Sequence, residues 1–530
     1  MQEAKVIGRG TWLDKVASET VAREKRLGRN LSMLRVESGL GASGLPHIGS
    51  VGDAIRSYGV KLALETTGYS SELIAYSDDF DGLRKVPAGF PSWLKDYIAH
   101  PVSRIPDPFD CHRSYAEHVG SLLKDSLDRI GIKYRFQSGA EAYKSGLLNG
   151  QIRTILSQSV KIGRKIDELV GQSKYKENLP YTPVCHECDR IYTTQALSYD
   201  PETDVVRYKC SGTKLGEKFV KGCGYEGTTK ITDGDGKLMW KVEFAARWAA
   251  LDIRFEAYGK ELTDSVKIND WVAESVLNYP PPYHARYELF QDKSGRKLSK
   301  SSGNLVTPAE WLEYASAASL RLLMYKRIIG ARNISIADVP IYMEDLDDLE
   351  EYYFARKRDP NPMKDAKQRG LYEYTMFLDV PKSPGVHVPY RLLAQLATVA
   401  PEATREKYVG SRLVAYGMVK TPSTDLEERI RWAVKWAQRE GRPPKPRLRL
   451  NAKAKKAIAQ FARAIHNLSD ATSIQNAAFE ALKSNGLEPA QFFPQVYGIL
   501  LGSDRGPRLG PYVLDYGAVA VSKALLSAVG

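Results

Sequence analysis

Leu31-Ser-Met-Leu-Arg-Val-Glu-Ser38 runs directly into Gly39-Leu-Gly-Ala-Ser-Gly44, then into Pro46-His-Ile-Gly-Ser50 and a long apolar-periodic stretch. The leading run is apolar and β-compatible, and the glycines after it let the backbone turn tightly and approach a ligand closely. Val51, Ala54, Ile55, Tyr58 and Leu62 then recur at i, i+3, i+4, i+7 and i+11, the spacing of one helix face. Gly68 closes that helix, and Glu72-Leu-Ile-Ala-Tyr-Ser77 reads as the next strand. Strand, glycine loop, helix, strand is the opening unit of a parallel nucleotide-binding sheet, so a Rossmann-like α/β domain is expected.

At 530 residues the chain exceeds one hydrophobic core, which points to several domains. Residues 1–30 read as an N-terminal helical extension, and 31–104 with 235–310 as the sheet domain. Between them, 105–234 turns to Cys, His, Gly and short mixed segments, as an insertion would. Strand-like signals return at Trp240-Lys-Val-Glu-Phe244 and Tyr287-Glu-Leu-Phe290. Thr307-Pro-Ala-Glu310 is a capping box with proline at the first helical position, and helix is expected from there on, in regions 311–420 and 421–530. The acidic run Glu344-Asp-Leu-Asp-Asp-Leu-Glu-Glu351 reads as a solvated helix face.

The net charge is +13, and between Arg429 and Arg463 twelve Lys/Arg face a single acid, Glu440. Such a concentration attracts a polyanion and fits a nucleic-acid partner; a solvated face with a basic linker is the plainer alternative. The N-terminus lacks a signal-peptide core, and no apolar stretch is long enough to span a bilayer, so a cytoplasmic protein with no membrane partner is expected. Five cysteines without an export signal argue for metal, not disulfides. Cys185-His-Glu-Cys188 is a knuckle, and Cys210 and Cys223 complete four thiolates for a closed tetrahedral structural zinc site. The second half spans twelve residues, so a loop must be inserted there, and His186 is an alternative ligand.

Two motifs suit a triphosphate. The helix beginning near Gly49 points free N–H groups and a positive dipole end at the glycine loop, and His47 adds a neutral donor at the junction. Far downstream, Lys297-Leu-Ser-Lys-Ser301 follows a strand-like run and a turn. Lys297 and Lys300 there can neutralise charge at the α-phosphorus and on leaving pyrophosphate, while serine hydroxyls add neutral donors.

Pro46, His47, Ile48, Gly49 and Ser50 resemble the His-Ile-Gly-His signature of class I aminoacyl-tRNA synthetases, and Lys297, Leu298, Ser299, Lys300 and Ser301 resemble their Lys-Met-Ser-Lys-Ser loop. Ser50 and Leu298 are the departures. Ser38-Gly39 with Ser43-Gly44, the Asp78–Pro87 segment, and the run Asp107-Pro-Phe-Asp-Cys-His-Arg-Ser-Tyr-Ala-Glu-His118 resemble the archaeal-type lysyl subgroup. The resemblance implies ATP with Mg²⁺, L-lysine and tRNA(Lys) as substrates, with a monomer expected. It also implies a lysine pocket lined by Gly39 and Trp240. A cationic substrate needs carboxylates, for which Asp79 and Glu243 are candidates, with Tyr287 for a hydroxyl contact. Leu262 stands where the family often has a histidine.

From residue types alone, Cys111, His112 and His118 read as a half-buried cysteine and two surface histidines. The resemblance implies a second Zn²⁺ held by Asp107, Cys111, His112 and His118, and Cys111 and His118 share a face if the segment is helical. It assigns the insertion a connective role, 311–420 contact with the tRNA stem, and 421–530 the anticodon, where Trp432 and Trp436 could stack on bases. The implied chemistry is attack of the lysine carboxylate on the α-phosphorus, then transfer to the 2′-hydroxyl of the tRNA end. His47, Lys297 and Lys300 stabilise charge in the first step. A glutamyl- or arginyl-specific synthetase, a zinc-containing nucleotidyltransferase without RNA, and a non-catalytic RNA-binding module remain alternatives.

Overall fold

The computed structural model describes residues 6–529 other than 43, 177, 293, 296–305, 442–449, 503 and 505. The chain opens with α1 (Trp12–Arg26), β1 (Leu34–Leu40), α2 (Ile48–Thr66), β2 (Ser71–Ser77), α3 (Tyr115–Ile130), β3 (Arg135–Ser138), α4 (Gly139–Lys144), α5 (Asn149–Ser157) and α6 (Ser159–Val170). Short strands follow: β4 (Tyr181–Pro183), β5 (Thr194–Asp200), β6 (Val205–Cys210), β7 (Gly212–Leu215), β8 (Lys218–Lys221), β9 (Glu226–Lys230) and β10 (Gly236–Leu238). Next come α7 (Trp240–Leu251), β11 (Ile253–Gly259), α8 (Thr263–Ser275), β12 (Tyr283–Tyr287), β13 (Phe290–Gln291), α9 (Pro308–Tyr314), α10 (Ala317–Tyr325) and β14 (Arg332–Asn333). The remainder is helical: α11 (Val339–Tyr353), α12 (Pro362–Thr375), α13 (Tyr390–Val399), α14 (Arg405–Ala415), α15 (Thr424–Glu440), α16 (Ala452–Ile465), α17 (Ala471–Ser484), α18 (Pro489–Leu501), α19 (Leu509–Tyr516) and α20 (Ala518–Val529).

These elements form two compact units, one of Met1–Pro308, Leu320–Ile334 and Arg358–Val380, the other of Ala309–Ser319, Ser335–Lys357 and Pro381–Gly530. The first is built on a parallel sheet of order β12-β11-β1-β2-β3. The chain leaves β1 on one side for β2 and β3, and returns on the other side through β11. Strand order therefore reverses between β1 and β11, and ligands of such sheets bind outside the carboxyl ends at that switch point. The strand–loop–helix–strand reading of residues 31–77 is what the structure shows, with Val51, Ala54, Ile55, Tyr58 and Leu62 all buried. Burial of each such side chain contributes about 1.5–3 kcal/mol. β3, inside the 105–234 stretch, is the edge strand of the sheet, paired with β2 from Ile74↔Arg135 to Ser77↔Ser138.

One local expectation is overturned. Trp240–Phe244 is not a strand but the start of α7, where Val242, Glu243, Phe244, Ala245, Ala246, Arg247 and Trp248 are all buried. A helix covered nearly all round has no polar stripe, so its apolar alternation mimics a buried strand.

The second unit is helical. Its acidic run does not form a solvated face. On α11, Asp347 accepts both guanidinium nitrogens of Arg429, Glu344 pairs with Arg391, and His387 lies 3.1 Å from Asp347 and 3.2 Å from Glu350. The reason is compensation: α13 and α15 present arginines to the acids, which permits burial of both signs. Trp436 is fully buried, with its indole N–H donating to the Ile336 carbonyl at 2.8 Å, so it is core and offers no stacking face. Arg431, Lys435, Arg439, Lys453, Lys455, Lys456 and Arg463 are exposed, and the rest of the basic stretch, 442–449, lies outside the described residues. Among the described residues no single helix is long and apolar enough to cross a membrane.

Candidate active site and metal centres

The switch-point crevice is floored by small residues. A Cβ at Gly39 or Gly41 would meet nothing within 4 Å, so the end of β1 opens on free space. Pro46 is buried and delivers His47 to the N-cap of α2. The His47 Nδ1 accepts from the Ser50 amide at 3.2 Å, and the Ser50 hydroxyl accepts from the His47 amide at 3.4 Å. That reciprocal capping box gives Ser50 a structural task where the signature has a second histidine. Gly49 is required by close approach, since a Cβ there would lie 2.9 Å from Cε1 and Nδ1 of His47. Lys297, Leu298, Ser299, Lys300 and Ser301 lie outside the described residues. Both ends of their segment are fixed nonetheless. β13 pairs in parallel with β14 on the approach, and the Ile48 amide donates to the Val306 carbonyl at 2.9 Å on the exit.

The acids after β2 are already engaged. Asp79 accepts from the Ala140 amide at 2.7 Å, at the N-terminus of α4. Asp81 and Glu243 flank the buried ammonium of Lys237, which lies 3.0 Å from Glu243 and is ion-paired with Asp81. Burial pushes the Lys237 ammonium toward deprotonation, but Asp81 and Glu243 outweigh it and hold the group well above its usual range. Glu243 also accepts from the Tyr143 hydroxyl at 2.9 Å, and the Trp240 indole N–H lies 3.4 Å from Asp81. The candidate ammonium acceptors Asp79 and Glu243 thus have partners within the chain.

Tyr287 ends β12 with its ring 4.1 Å from the Arg56 guanidinium, and its hydroxyl faces the Asp53 carboxyl closely enough to pull that group's pKa down. Asp53 is a residue that the sequence reading missed. Its side chain is half-buried, and its enclosed Oδ1 has no hydrogen-bond partner among the described residues. Burial pushes its carboxyl up to about 7, against the pull of Arg56 and Tyr287. The available signal was an acid one turn beyond the His-Ile-Gly-Ser motif, between the apolar Val51 and Ala54–Ile55. Arg247 was missed as well: its guanidinium meets Glu37 at 2.8 Å, Asp78 at 3.0 Å and Glu256 at 3.8 Å. Burial raises the carboxyls of Glu37, Asp78 and Glu256 against the pull of Arg247, so one cation and three acids form a coupled buried cluster beneath the crevice.

Two further clusters have the geometry of metal centres. The four sulfurs of Cys185, Cys188, Cys210 and Cys223 lie within 4.8 Å of one another, with Cys185–Cys223 at 3.6 Å and Cys188–Cys210 at 3.8 Å. Zinc–sulfur bonds of about 2.3 Å in a tetrahedron require sulfur separations of roughly 3.8 Å, which these match. His186 stays out of the set, its amide donating to the Tyr208 hydroxyl at 3.0 Å. In the second cluster, the Cys111 sulfur lies 3.1 Å from His112 Nδ1 and 3.2 Å from His118 Nδ1, and Asp107 lies 3.6 and 3.4 Å from the same nitrogens. Only His118 is helical. Ser114 caps α3, so Cys111 and His112 reach the cluster from the preceding loop, not from a shared helix face.

The sequence from residue 10 to 377 matches a family model described as class I tRNA synthetases (K). The chain belongs to that family. A lysine–tRNA ligase of Cenarchaeum symbiosum (strain A) is 48% identical over 97% of this chain and 98% of that protein. Lysine–tRNA ligases of Rickettsia prowazekii and Rickettsia felis are 30% and 29% identical over 92% and 91% of this chain, and 90% of each of those proteins. The departures at Ser50 and Leu298 are therefore variation within a class I tRNA synthetase, a family whose members use ATP.

Proposed function

We propose that this chain is a lysine–tRNA ligase, forming lysyl-adenylate from L-lysine and ATP and passing the lysyl group to tRNA(Lys). The observation that carries the reading is the near full-length similarity to lysine–tRNA ligases, 48% identical in one case. The site chemistry supports it. Asp53, half-buried beside Tyr287 with its enclosed Oδ1 unpartnered among the described residues, is the acceptor that we assign to the substrate ε-ammonium. Gly39 leaves the room, Trp240 supplies a wall, and Asp79 and Glu243 act by holding α4 and Lys237 in place.

The α-phosphoryl lies at the N-terminus of α2, where His47 donates to its oxygens and the helix dipole favours negative charge. Lys297 and Lys300 neutralise the transition state and departing pyrophosphate, with Mg²⁺ carried on the triphosphate. No side chain becomes a covalent nucleophile: positioning and electrostatics carry the rate. The two clusters each hold a structural Zn²⁺, one on Cys185, Cys188, Cys210 and Cys223 and one on Asp107, Cys111, His112 and His118. The enzyme acts in the cytoplasm as a monomer, with its helical unit on the tRNA stem and anticodon.

An amino-acid screen of ATP–pyrophosphate exchange, run with and without tRNA, tests the reading. Lysine should support exchange, and glutamate and arginine should not. Exchange with glutamate or arginine alone would replace lysine as the substrate, and exchange with none would exclude a synthetase.

A further inference from the structure

The twelve residues between Cys210 and Cys223 are more than a knuckle needs, and the structure shows what they build. β7 and β8 form an antiparallel hairpin with Gly212 opposite Lys221 and Leu215 opposite Lys218. Gly216, at φ +62°, turns it. The base is fixed twice, by the Gly212 amide donating to the Thr193 carbonyl at 2.9 Å and by the adjoining cysteine cluster.

The β7 side of this hairpin walls a cavity of about 510 Å³ that is also lined by Asp81, Arg84, Tyr192, Lys237 and Trp240. That volume lies within the range of small-ligand pockets, about 300–1,000 Å³. Tyr192 is held firmly in that lining. Its ring packs so closely on Gly82 that a Cβ there would lie 2.8 Å from it. The Arg84 guanidinium lies 5.4 Å from the Tyr192 ring and 5.8 Å from the Trp240 ring. Planar aromatic and guanidinium faces are the surfaces on which unpaired bases stack. The hairpin adds exposed Lys214, Lys218 and Lys221, and its Phe219 is 68% exposed. Positive charge and an exposed ring on the hairpin that walls a stacking pocket suit the end of a single-stranded polynucleotide.

We propose that this cavity seats the 3′-terminal nucleoside of the tRNA, stacked against Tyr192 and Arg84, with the β7–β8 hairpin as its outer wall. The inference rests on the aminoacylation reading and adds a place for the acceptor end. It also explains the long spacing in the cysteine motif: the metal cluster anchors a wall of the pocket. Trp240 joins this cavity to the amino-acid side, which brings the accepting hydroxyl toward the adenylate.

The test compares tRNA(Lys) with the same tRNA lacking its terminal adenosine, bound to the full-length enzyme, to Tyr192→Ala and to Thr213→Trp, which fills the cavity from the hairpin side. Wild type should bind intact tRNA about tenfold more tightly than the shortened form, in line with one stacked base. Both variants should bind the two forms within twofold of each other, and charging kcat/KM for tRNA should fall at least about twentyfold. Lysine-dependent pyrophosphate exchange in the presence of the shortened tRNA, and zinc content, should be those of wild type. Equal loss on both tRNAs would overturn the proposal, as would a raised KM for ATP in the variants. Should Tyr192→Ala fail to fold, Thr213→Trp and the exposed Arg84→Ala give the same comparison. A wild-type enzyme that charges no tRNA would instead overturn the aminoacylation reading.

Discussion

The Ile48 amide donates to the Val306 carbonyl at 2.9 Å, joining the first helical turn after His47 to the exit of the Lys297–Ser301 segment. Of the four N–H groups that a helix start leaves unsatisfied, this one is closed by the chain itself, and the Ser50 amide by His47. The two segments to which we assign ATP, some 250 residues apart in sequence, are thereby linked through the described backbone at Ile48 and Val306. Replacing Lys300 with alanine should leave this frame intact and lower adenylate formation by about 10²–10³-fold, as loss of one preorganised donor does. Pyrophosphate exchange beside a circular dichroism spectrum checks it, and near-normal exchange would remove Lys300 from the mechanism.

Gly49→Ala separates stability from activity. Alanine in place of glycine in a helix stabilises by roughly 0.5–1 kcal/mol. Its methyl would nevertheless lie 2.9 Å from the His47 ring and must displace it. The variant should therefore unfold at an unchanged or higher temperature while its exchange rate falls at least about tenfold. Unchanged exchange would show that His47 does not need its present position.

For Asp53→Asn, the lysine KM should rise about 10–100-fold, with the ATP KM within about twofold of wild type, because one desolvated charge pair is lost. With its carboxyl at about 7, Asp53 is charged above that pH and neutral below it. In wild type, kcat/KM for lysine should therefore fall as pH drops through about 7, and in the asparagine variant that limb should flatten. A profile identical in both proteins would place the ε-ammonium elsewhere.

What could be read in the sequence, and what could not, follows from how each feature is encoded. The unit from β1 to β2 is local, so its glycines, its 3.6-residue apolar period and its capping signal sit within one short stretch. The four cysteines are identified by spacing and chemistry, although the hairpin between Cys210 and Cys223 could only be called a loop. α7 is the reverse case: buried on all sides, it carries no polar stripe, and it read as a strand. The carboxylates were named by type, but their partners are set by tertiary packing. Lys237 gives no sign in sequence that it lies buried between Asp81 and Glu243. The acids on α11 find Arg391, Arg429 and His387 only once the second unit is folded.

Metal content should distinguish the two centres. The purified chain should hold two zinc ions, and Cys188→Ser and Cys111→Ser should each hold one, since each removes a ligand from a different cluster. Plasma emission spectrometry reads the stoichiometry. Two ions retained in Cys111→Ser would show that Asp107, His112 and His118 suffice, and one ion in wild type would leave a single centre.

His387 makes the second unit sensitive to alkaline pH. Burial opposes its charge, but Asp347 and Glu350 outweigh burial and raise it from 6.5 to about 9. Asp347 is shared with Arg429, and Glu350 also accepts from the Gly385 amide at 2.6 Å. Because the folded value exceeds the unfolded one, the stabilisation is complete below about 6.5 and is lost as pH rises through 9. It amounts to on the order of 2 kcal/mol after allowance for solvent screening. Thermal midpoints of the second unit should decline between these pH values, and His387→Gln should remove the decline. Parallel curves for the two proteins would refute the assignment.

The reversal of strand order at β1 also dictates when the crevice can exist during synthesis. Arg35 finds Ile253 as its neighbour, so the wall that completes the nucleotide site leaves the ribosome long after the wall that begins it. Until then β1 has one open edge, and the apolar faces around it have only β2 and α2 as cover. Pairings of such separation close slowly and leave sticky edges exposed meanwhile. The architecture that gives this enzyme its crevice thus delays the crevice until β11 has been made, some 200 residues after β1.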